Sequence, residues 1–381
     1  MKILILGNMA NAGYAVAKGL RKKNIDVDLA INKSQNVMAL PKWEDANFDN
    51  SSDSSSQFKP NSKWKDPDWV KYFDFKNNQK ISFIDKIAIR INLIRMVRDY
   101  DVIEAHVPYS IYTQFSGIPY VPYDAGWIRY FPFKNGLRDK LARRAYRKAK
   151  KIMMTNPDTF EIFDKLSYLD KDKIHFVPFA IDPDKFKPSN EEQLRLEFAR
   201  PTELLLFSPA RQNWFYKGNN KMIRGFAKFA KQFPNSKLIL VDWDSDIEKS
   251  KNLIEELRIT NKVGWIKPLT KNKLIQFFNI ADIVLDQFTL GSWGGITPEA
   301  MACGKPVLIY LKENHIKRAF GEMPPLLNSF TDEEICSNLI KLANEDFRKE
   351  IGKKSREWVI KTHSTDIVSE RHLDILKSVI E

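Results

Sequence analysis

Two successive sets of short apolar runs, each run followed by a stretch of helical period, constrain this chain more than any other feature. Residues 3–6, 25–30, 102–105, 120–123, 152–155 and 175–178 form the first set, and residues 204–207, 238–241, 283–285 and 307–310 the second. Runs apolar at consecutive positions are strands buried on both faces, and helices must cover both sides of such a sheet. Helical spacing fills the intervals, as at Ile87, Ile91, Ile94 and Val97, at Met222, Ile223, Phe226 and Phe229, and over residues 274–280 and 298–302. The chain is helical throughout from Asp332 onward on the same criterion. A connector rich in Pro, Asp and Lys, residues 178–190, parts the two sets. With 381 residues, more than one core usually holds, the expectation is an α/β protein of two Rossmann-like domains.

The first turn, Gly7-Asn8-Met9-Ala10-Asn11-Ala12-Gly13, lacks the GxGxxG spacing of a dinucleotide fold, which disfavours a nicotinamide dehydrogenase. Residues 43–69 lose periodicity around a Ser-rich centre and read as a mobile surface loop, with Trp43, Trp64 and Trp69 either stacking on sugars or pinning the loop. Only Cys303 and Cys336 are present, too few for a disulfide scaffold, so a reducing cytoplasm is expected. The apolar opening stops at Gly7, too short for a signal segment or a membrane span. Asp-x-Asp recurs too often to mark a metal, the calcium-like start at Asp242 has Ile247 in its glycine place, and the five histidines lack ligand spacing. No obligatory metal or cofactor is expected.

Two segments carry chemistry. Ser208 to Gly218 follows a strand and precedes a helix, which places it at the carboxyl edge of the second sheet. There Arg211 offers a two-pronged fork and Lys217 a point charge, suited to a diphosphate that gains charge as it leaves. Gly291 to Val307 is a glycine turn, a short helix with Pro298 in its first turn, and a Gly304–Pro306 stop. Glu299 stands one turn into that helix, where a carboxylate can accept two hydrogen bonds from a vicinal diol such as ribose, or simply suit the helix dipole.

Arg211, Lys217-Gly218 and the run from Glu299 through Gly304-Lys305-Pro306-Val307, together with residues 178–188 ahead of them, are similar in order and spacing to the group 1 glycosyltransferases, the retaining GT-B enzymes of family four. The resemblance covers roughly residues 156–364; in the first half, residues 101–106 and 117–119 match more loosely. It implies two Rossmann-like domains facing across a cleft, an acceptor domain over 1–184, a donor domain over 185–364, and a C-terminal helix over 365–381 that packs back on the first. It further implies that Arg211 and Lys217 hold the donor diphosphate with the Gly294-Gly295-Ile296 backbone, that Glu299 takes the ribose, and that the base lies near Lys267 and Leu269. Asn11 and Gly13 would belong to an acceptor or interdomain loop.

The chain departs from the family twice. The family's paired glutamates stand eight apart, and here Gly291 occupies the first place; and where many relatives carry a histidine after a first-domain strand, this chain reads Tyr123-Asp124-Ala125. Asp124, or alternatively His106, is therefore the expected catalytic polar group. The resulting reading is transfer of a sugar from a nucleoside-diphosphate sugar, as co-substrate, to a hydroxyl of a glycan or lipid-linked acceptor. Its rivals are a GT-B nucleotide-sugar epimerase or phosphorylase, and a nonenzymatic basic polyanion-binding protein.

The net charge of +13 suggests an anionic partner. Residues 134–151 hold nine Lys and Arg against Asp139 alone, with Leu137, Leu141 and Ala145 as the expected apolar stripe. That helix is either a solvated face or a dock for an anionic membrane surface, at about 1 kcal/mol per basic residue near the leaflet. The expected place is the cytoplasm, peripheral to the inner face of the membrane, and nucleic acid is not an expected partner.

Overall fold

The computed structural model describes residues 1–46, 64–75, 83–130 and 133–381. Its contacts divide into two units: Met1–Ala46, the described part of Pro60–Ala180 and His363–Glu381 make the first, and Ile181–Thr362 the second. The changes of unit fall slightly earlier than the 184 and 364 read from the sequence. The Ser-rich centre of the 43–69 loop lies outside the described residues.

The first unit is built on seven parallel strands: β1 Lys2–Leu6, β2 Asp26–Asn32, β3 Val70–Phe73, β4 Val102–His106, β5 Tyr120–Asp124, β6 Ile152–Met154 and β7 Ile174–Phe176. Their order, β3-β2-β1-β4-β5-β6-β7, reverses direction between β1 and β4. A crevice opens at such a reversal, beyond the carboxyl ends of the strands. Helix Ala12–Lys22 covers one face, and the last helix, Thr365–Lys377, lies against it, so that Val368, Leu373 and Leu376 share a core with Val16 and Leu20. Gly19 permits this approach, since a Cβ there would sit 2.1 Å from Ser369 Oγ.

The second unit has six parallel strands: β8 Leu204–Ser208, β9 Ser236–Val241, β10 Val263–Ile266, β11 Ile283–Leu285, β12 Val307–Ile309 and β13 Leu327–Asn328. Their order is β10-β9-β8-β11-β12-β13, with the reversal between β8 and β11. Phe207, Ile239 and Val284 face one core, while their neighbours Leu206, Leu238 and Leu285 face the other. The continuous apolar runs follow from that double burial. Helix Asn219–Gln232 packs on helix Asp332–Ala343, which begins with a capping box between Thr331 and Glu334.

Three strands escape a reading by apolar runs, and all lie at sheet edges. β3 exposes Lys71 and Tyr72, β10 is half-buried throughout, and β13 is two residues long. The helix expected over residues 134–151 runs Leu137–Lys148, and its buried face is Asp139, Ala142, Ala145 and Tyr146. Leu137 is corrected out of the apolar stripe, since it is 74% exposed. Trp43 is buried and Trp69 stacks on Tyr14 at 5.4 Å, which ties both ends of their segment to the first unit.

Candidate functional site

The reversal between β8 and β11 gathers the residues on which the donor reading depends. The turn after β8 leads into a four-residue helix, Trp214–Lys217, anchored by a Trp214 Nε1–H bond to Ser250 Oγ at 2.9 Å and by Asn213 Oδ1 accepting from the Tyr216 N–H. This short helix carries Lys217 inward, where its ammonium donates to Gln287 Oε1 at 3.0 Å. Loss of water pulls the Lys217 pKa down, Asp286 opposes the fall and Arg211 adds to it. Arg211 is 3.0 Å from Asp244 and lies over the Tyr216 ring. Asp244 in turn belongs to the acidic run after β9, where Asp246 caps the Trp214 N–H at 2.9 Å. The resemblance of that run to a calcium loop ends there, since its carboxylates hold the Arg211 turn in shape. Among the described residues no group of three or more His, Cys, Asp or Glu is arranged to hold a metal.

The turn after β11 supplies the opposite wall. Asp286 and Gln287 follow the strand directly and are both buried. Asp286 Oδ2 accepts from Thr297 Oγ1 at 2.7 Å, and the Gln287 amide donates to the Ser292 carbonyl. Gly291 has φ +72°, and a Cβ there would stand 2.6 Å from Lys312 Cγ, so the place of the family's first glutamate has neither the backbone nor the room for a carboxylate. At Gly294 a Cβ would meet nothing within 4 Å, which leaves its backbone open to a ligand. Ile296 opens the helix Ile296–Ala302, only seven residues long.

Glu299 projects from that helix with Oε1 2.5 Å from Lys271 Nζ, both side chains largely buried. Lys271 begins the helix after β10, and nothing in its spacing from Glu299 announces the pair. Lys267, just beyond β10, is 3.2 Å from Asp242, and Leu269 packs on the core beneath. Arg211, Lys217, Glu299, Lys267 and Leu269 thus all stand beyond the carboxyl ends of one sheet. A chain of contacts links Lys217 with the helix of Glu299: Lys217 to Gln287, and its neighbour Asp286 to Thr297 on that helix.

In the first unit the reversal between β1 and β4 places His106 beside the turn after β1. The Met9 N–H donates to His106 Nδ1 at 3.3 Å, and His106 Nε2 faces Glu104 Oε1 at the same distance. His372, on the last helix, meets Glu104 Oε2 from the other side at 2.7 Å. This His106–Glu104–His372 array is almost wholly buried. The sequence hid it, because His372 is 268 residues from Glu104. Asp124 ends β5 fully buried, accepting the N–H groups of Gly126 and Ile128 and the Tyr146 hydroxyl at 2.5 Å. Burial raises its pKa while those bonds, Tyr146 foremost, oppose the rise. Asn11 is buried, with its amide donating to the Met38 carbonyl at 3.0 Å and its oxygen accepting from Asn8. Gly13 sits in the first helix, where a Cβ would lie 2.7 Å from the Gly7 carbonyl. Both shape the turn after β1 from within.

Residues 190–358 match the family described as Glycosyl transferases group 1. The D-inositol 3-phosphate glycosyltransferase of Corynebacterium jeikeium is 29% identical over 147 residues, covering 35% of each chain. That of Corynebacterium aurimucosum is 26% identical over 190 residues, 47% of this chain and 45% of that protein. The chain thus matches between a third and a half of the length of these curated relatives. In structure it is similar to Anabaena HepE, solved with UDP and glucose, at a TM-score of 0.73 and 14% identity over 99% of this chain and 100% of the other. WaaG, a glycosyltransferase involved in lipopolysaccharide biosynthesis, superposes at a TM-score of 0.66 and 15% identity over 98% and 99% of the two chains. The two parallel α/β sheets are thus those of the GT-B fold, and residues 190–358 match the family of group 1 glycosyl transferases.

Proposed function

We propose that this chain is a glycosyltransferase that moves a sugar from a nucleoside-diphosphate sugar to an acceptor hydroxyl, with retention of anomeric configuration as the family resemblance implies. The observation that carries the reading is the placement of Arg211, Lys217 and Glu299 beyond the carboxyl ends of one sheet, the first two at its reversal point. Two cations at one edge suit a diphosphate, and each charge-assisted hydrogen bond strengthens as negative charge develops on the leaving group. The open backbone at Gly294, with Gly295 and Ile296, would flank the diphosphate. Glu299 would exchange its Lys271 contact for the ribose hydroxyls. Lys267 and Leu269 would border the base. A structural neighbour supports the donor class: HepE was solved with UDP-glucose as well as with UDP.

The acceptor belongs to the first unit in this reading. His106 is the polar group at its reversal point, and Asp124 holds the turn through Ile128 that borders the same edge. No protein nucleophile is required, since positioning and stabilisation of the leaving diphosphate supply the rate.

A membrane-borne acceptor fits the surface of the first unit. Helix Leu137–Lys148 presents its Lys and Arg side chains beside the exposed Tyr130, Phe133 and Leu137. Basic residues around exposed apolar ones suit the interface of an anionic leaflet. No helix among the described residues is long and apolar enough to cross a membrane.

The test is a panel of UDP-, GDP- and ADP-sugars screened for thermal stabilisation, followed by transfer of labelled sugar from the stabilising donor to glycan and lipid-linked acceptors. Stabilisation by one nucleotide class is expected, since a ligand bound only to the native state raises stability by mass action. Silence across the panel would overturn the reading. Sugar conversion without an acceptor would favour the epimerase, and dependence on inorganic phosphate the phosphorylase.

A further inference from the structure

The helix that carries Glu299 is too short to hold itself. Ile296–Ala302 makes about two turns, and a helix of that length takes its stability and direction from what grips its ends. Thr297 Oγ1 grips the first turn by donating to Asp286. At the other end Gly304, with φ +71°, closes a Schellman turn: its N–H donates to the Met301 carbonyl at 2.9 Å, and the Lys305 N–H donates to the Ala300 carbonyl at 3.1 Å. That closure passes over the carbonyl of Ala302, the last residue of the helix and wholly buried.

Arg356 donates to it instead. Its Nη1 donates to the Ala302 carbonyl and, at 2.9 Å, to the Phe186 carbonyl, while Nη2 donates to the Pro183 carbonyl at 3.3 Å. One guanidinium thus joins the end of the Glu299 helix to the connector that opens the second unit. Gly352 makes the reach possible, one turn earlier on helix Glu345–His363. A Cβ at Gly352 would overlap the Gly304 carbonyl oxygen, so glycine lets this helix lie against the Schellman turn and bring Arg356 to it. A planar fork with donors in fixed directions suits three carbonyls that must keep their places, whereas an ammonium is a single point charge.

We propose that Arg356 is a positioning residue of the donor site: by clamping the Ala302 carbonyl to the connector, it fixes the direction of the helix from which Glu299 reaches the ribose. The proposal rests on the donor reading above and adds to it a residue that acts on the nucleotide only through the backbone of that helix. Without the clamp the helix end is free to shift, and a displaced carboxylate loses hydrogen bonds whose geometry is narrow.

The experiment is calorimetric titration of UDP, GDP and ADP into the full chain, each against its 2′,3′-dideoxy analogue. One fixed pH is used, so that the ligand's own ionisation is the same on both sides of every comparison. The wild type should prefer the ribonucleotide by about tenfold or more, the worth of at least one hydrogen bond to a charged group. Arg356→Met should cut that preference to about threefold or less, since a small misplacement of the carboxylate forfeits the bond. Its affinity for the dideoxy analogue should stay at the wild-type level, because Arg211 and Lys217 keep their own supports in Asp244 and Gln287. A general loss of folded protein lowers the number of sites and leaves the ratio unmoved. An unchanged preference in Arg356→Met, or an equal fall in affinity for both ligands, overturns the proposal and leaves the donor reading standing. A wild type that binds none of the three diphosphates, or binds without preferring the ribonucleotide, overturns the reading of Glu299 and the proposal with it. If circular dichroism shows that Arg356→Met does not fold, Arg356→Lys decides instead: an ammonium holds fewer of the three carbonyls, so the preference should fall by about twofold or more, and an unchanged preference overturns the proposal.

Discussion

His372 Nδ1 donates to Glu104 Oε2 at 2.7 Å across a wholly buried contact, and so fastens the last helix of the chain to the centre of the first sheet. The other carboxylate oxygen faces His106, which accepts from the backbone of the turn after β1. Burial alone would raise the Glu104 pKa, but His372 first and then His106 outweigh it and hold the group at about 2.

That value sets an acid limit. The folded pKa of about 2 lies below the ordinary 4.5, so the carboxylate contributes stability that is full above about pH 4.5 and lost as pH falls towards 2. Urea denaturation at pH 7, 4 and 3 should show a steep loss in this window for the wild type and a flatter profile for Glu104→Gln. His372→Leu leaves the carboxylate short of its closer partner and should cost about 3 to 5 kcal/mol at pH 7. Equal acid profiles for wild type and Glu104→Gln would show that the pair carries no such linkage.

Lys217→Ala and Arg211→Ala should each lower kcat/KM with the preferred nucleotide sugar by roughly 10- to 100-fold, as expected for a charge-assisted bond worth about 1.5 to 3 kcal/mol. Steady-state transfer assays measure this directly. Wild-type rates in both variants would remove the diphosphate from this edge.

Glu299→Ala should abolish discrimination between a nucleoside diphosphate and its 2′,3′-dideoxy analogue, because the carboxylate would be the acceptor for the ribose hydroxyls. Competition binding of the two ligands gives the ratio. Lys271→Met, which removes the 2.5 Å partner of Glu299, should preserve discrimination while changing absolute affinity. Discrimination surviving in Glu299→Ala places the ribose elsewhere.

Gly13→Ala should destabilise the protein by about 1 to 3 kcal/mol, the usual range for overpacking, because the added Cβ would stand 2.7 Å from the Gly7 carbonyl and 3.0 Å from Ile5 Cγ2. A thermal melt tests it. A Tm unchanged from wild type would mean that the turn after β1 yields freely, against its close packing.

Liposome flotation should show binding to anionic but not neutral vesicles, falling as salt rises, and charge reversal at Arg138 and Lys140 should weaken it. These residues lie on helix Leu137–Lys148 beside the exposed Leu137. Indifference to lipid charge would leave the helix as a solvated face.

The α/β class, most of the strands and the loops that carry Arg211, Lys217 and Glu299 were legible in the sequence because each depends on neighbours a few residues away. Apolar runs mark strands buried on both faces, and a residue just after such a run must lie at the carboxyl edge of its sheet. Edge strands such as β13 were not legible, since two residues carry no period. Nor were the partners: Lys271 for Glu299, Asp244 for Arg211, Gln287 for Lys217 and His372 for Glu104. Which charge faces which depends on strand order and on how helices seat on the sheets, and those follow from packing summed over the whole unit. The backbone pattern is written locally, whereas the electrostatics of the site exist only once distant segments have excluded water together.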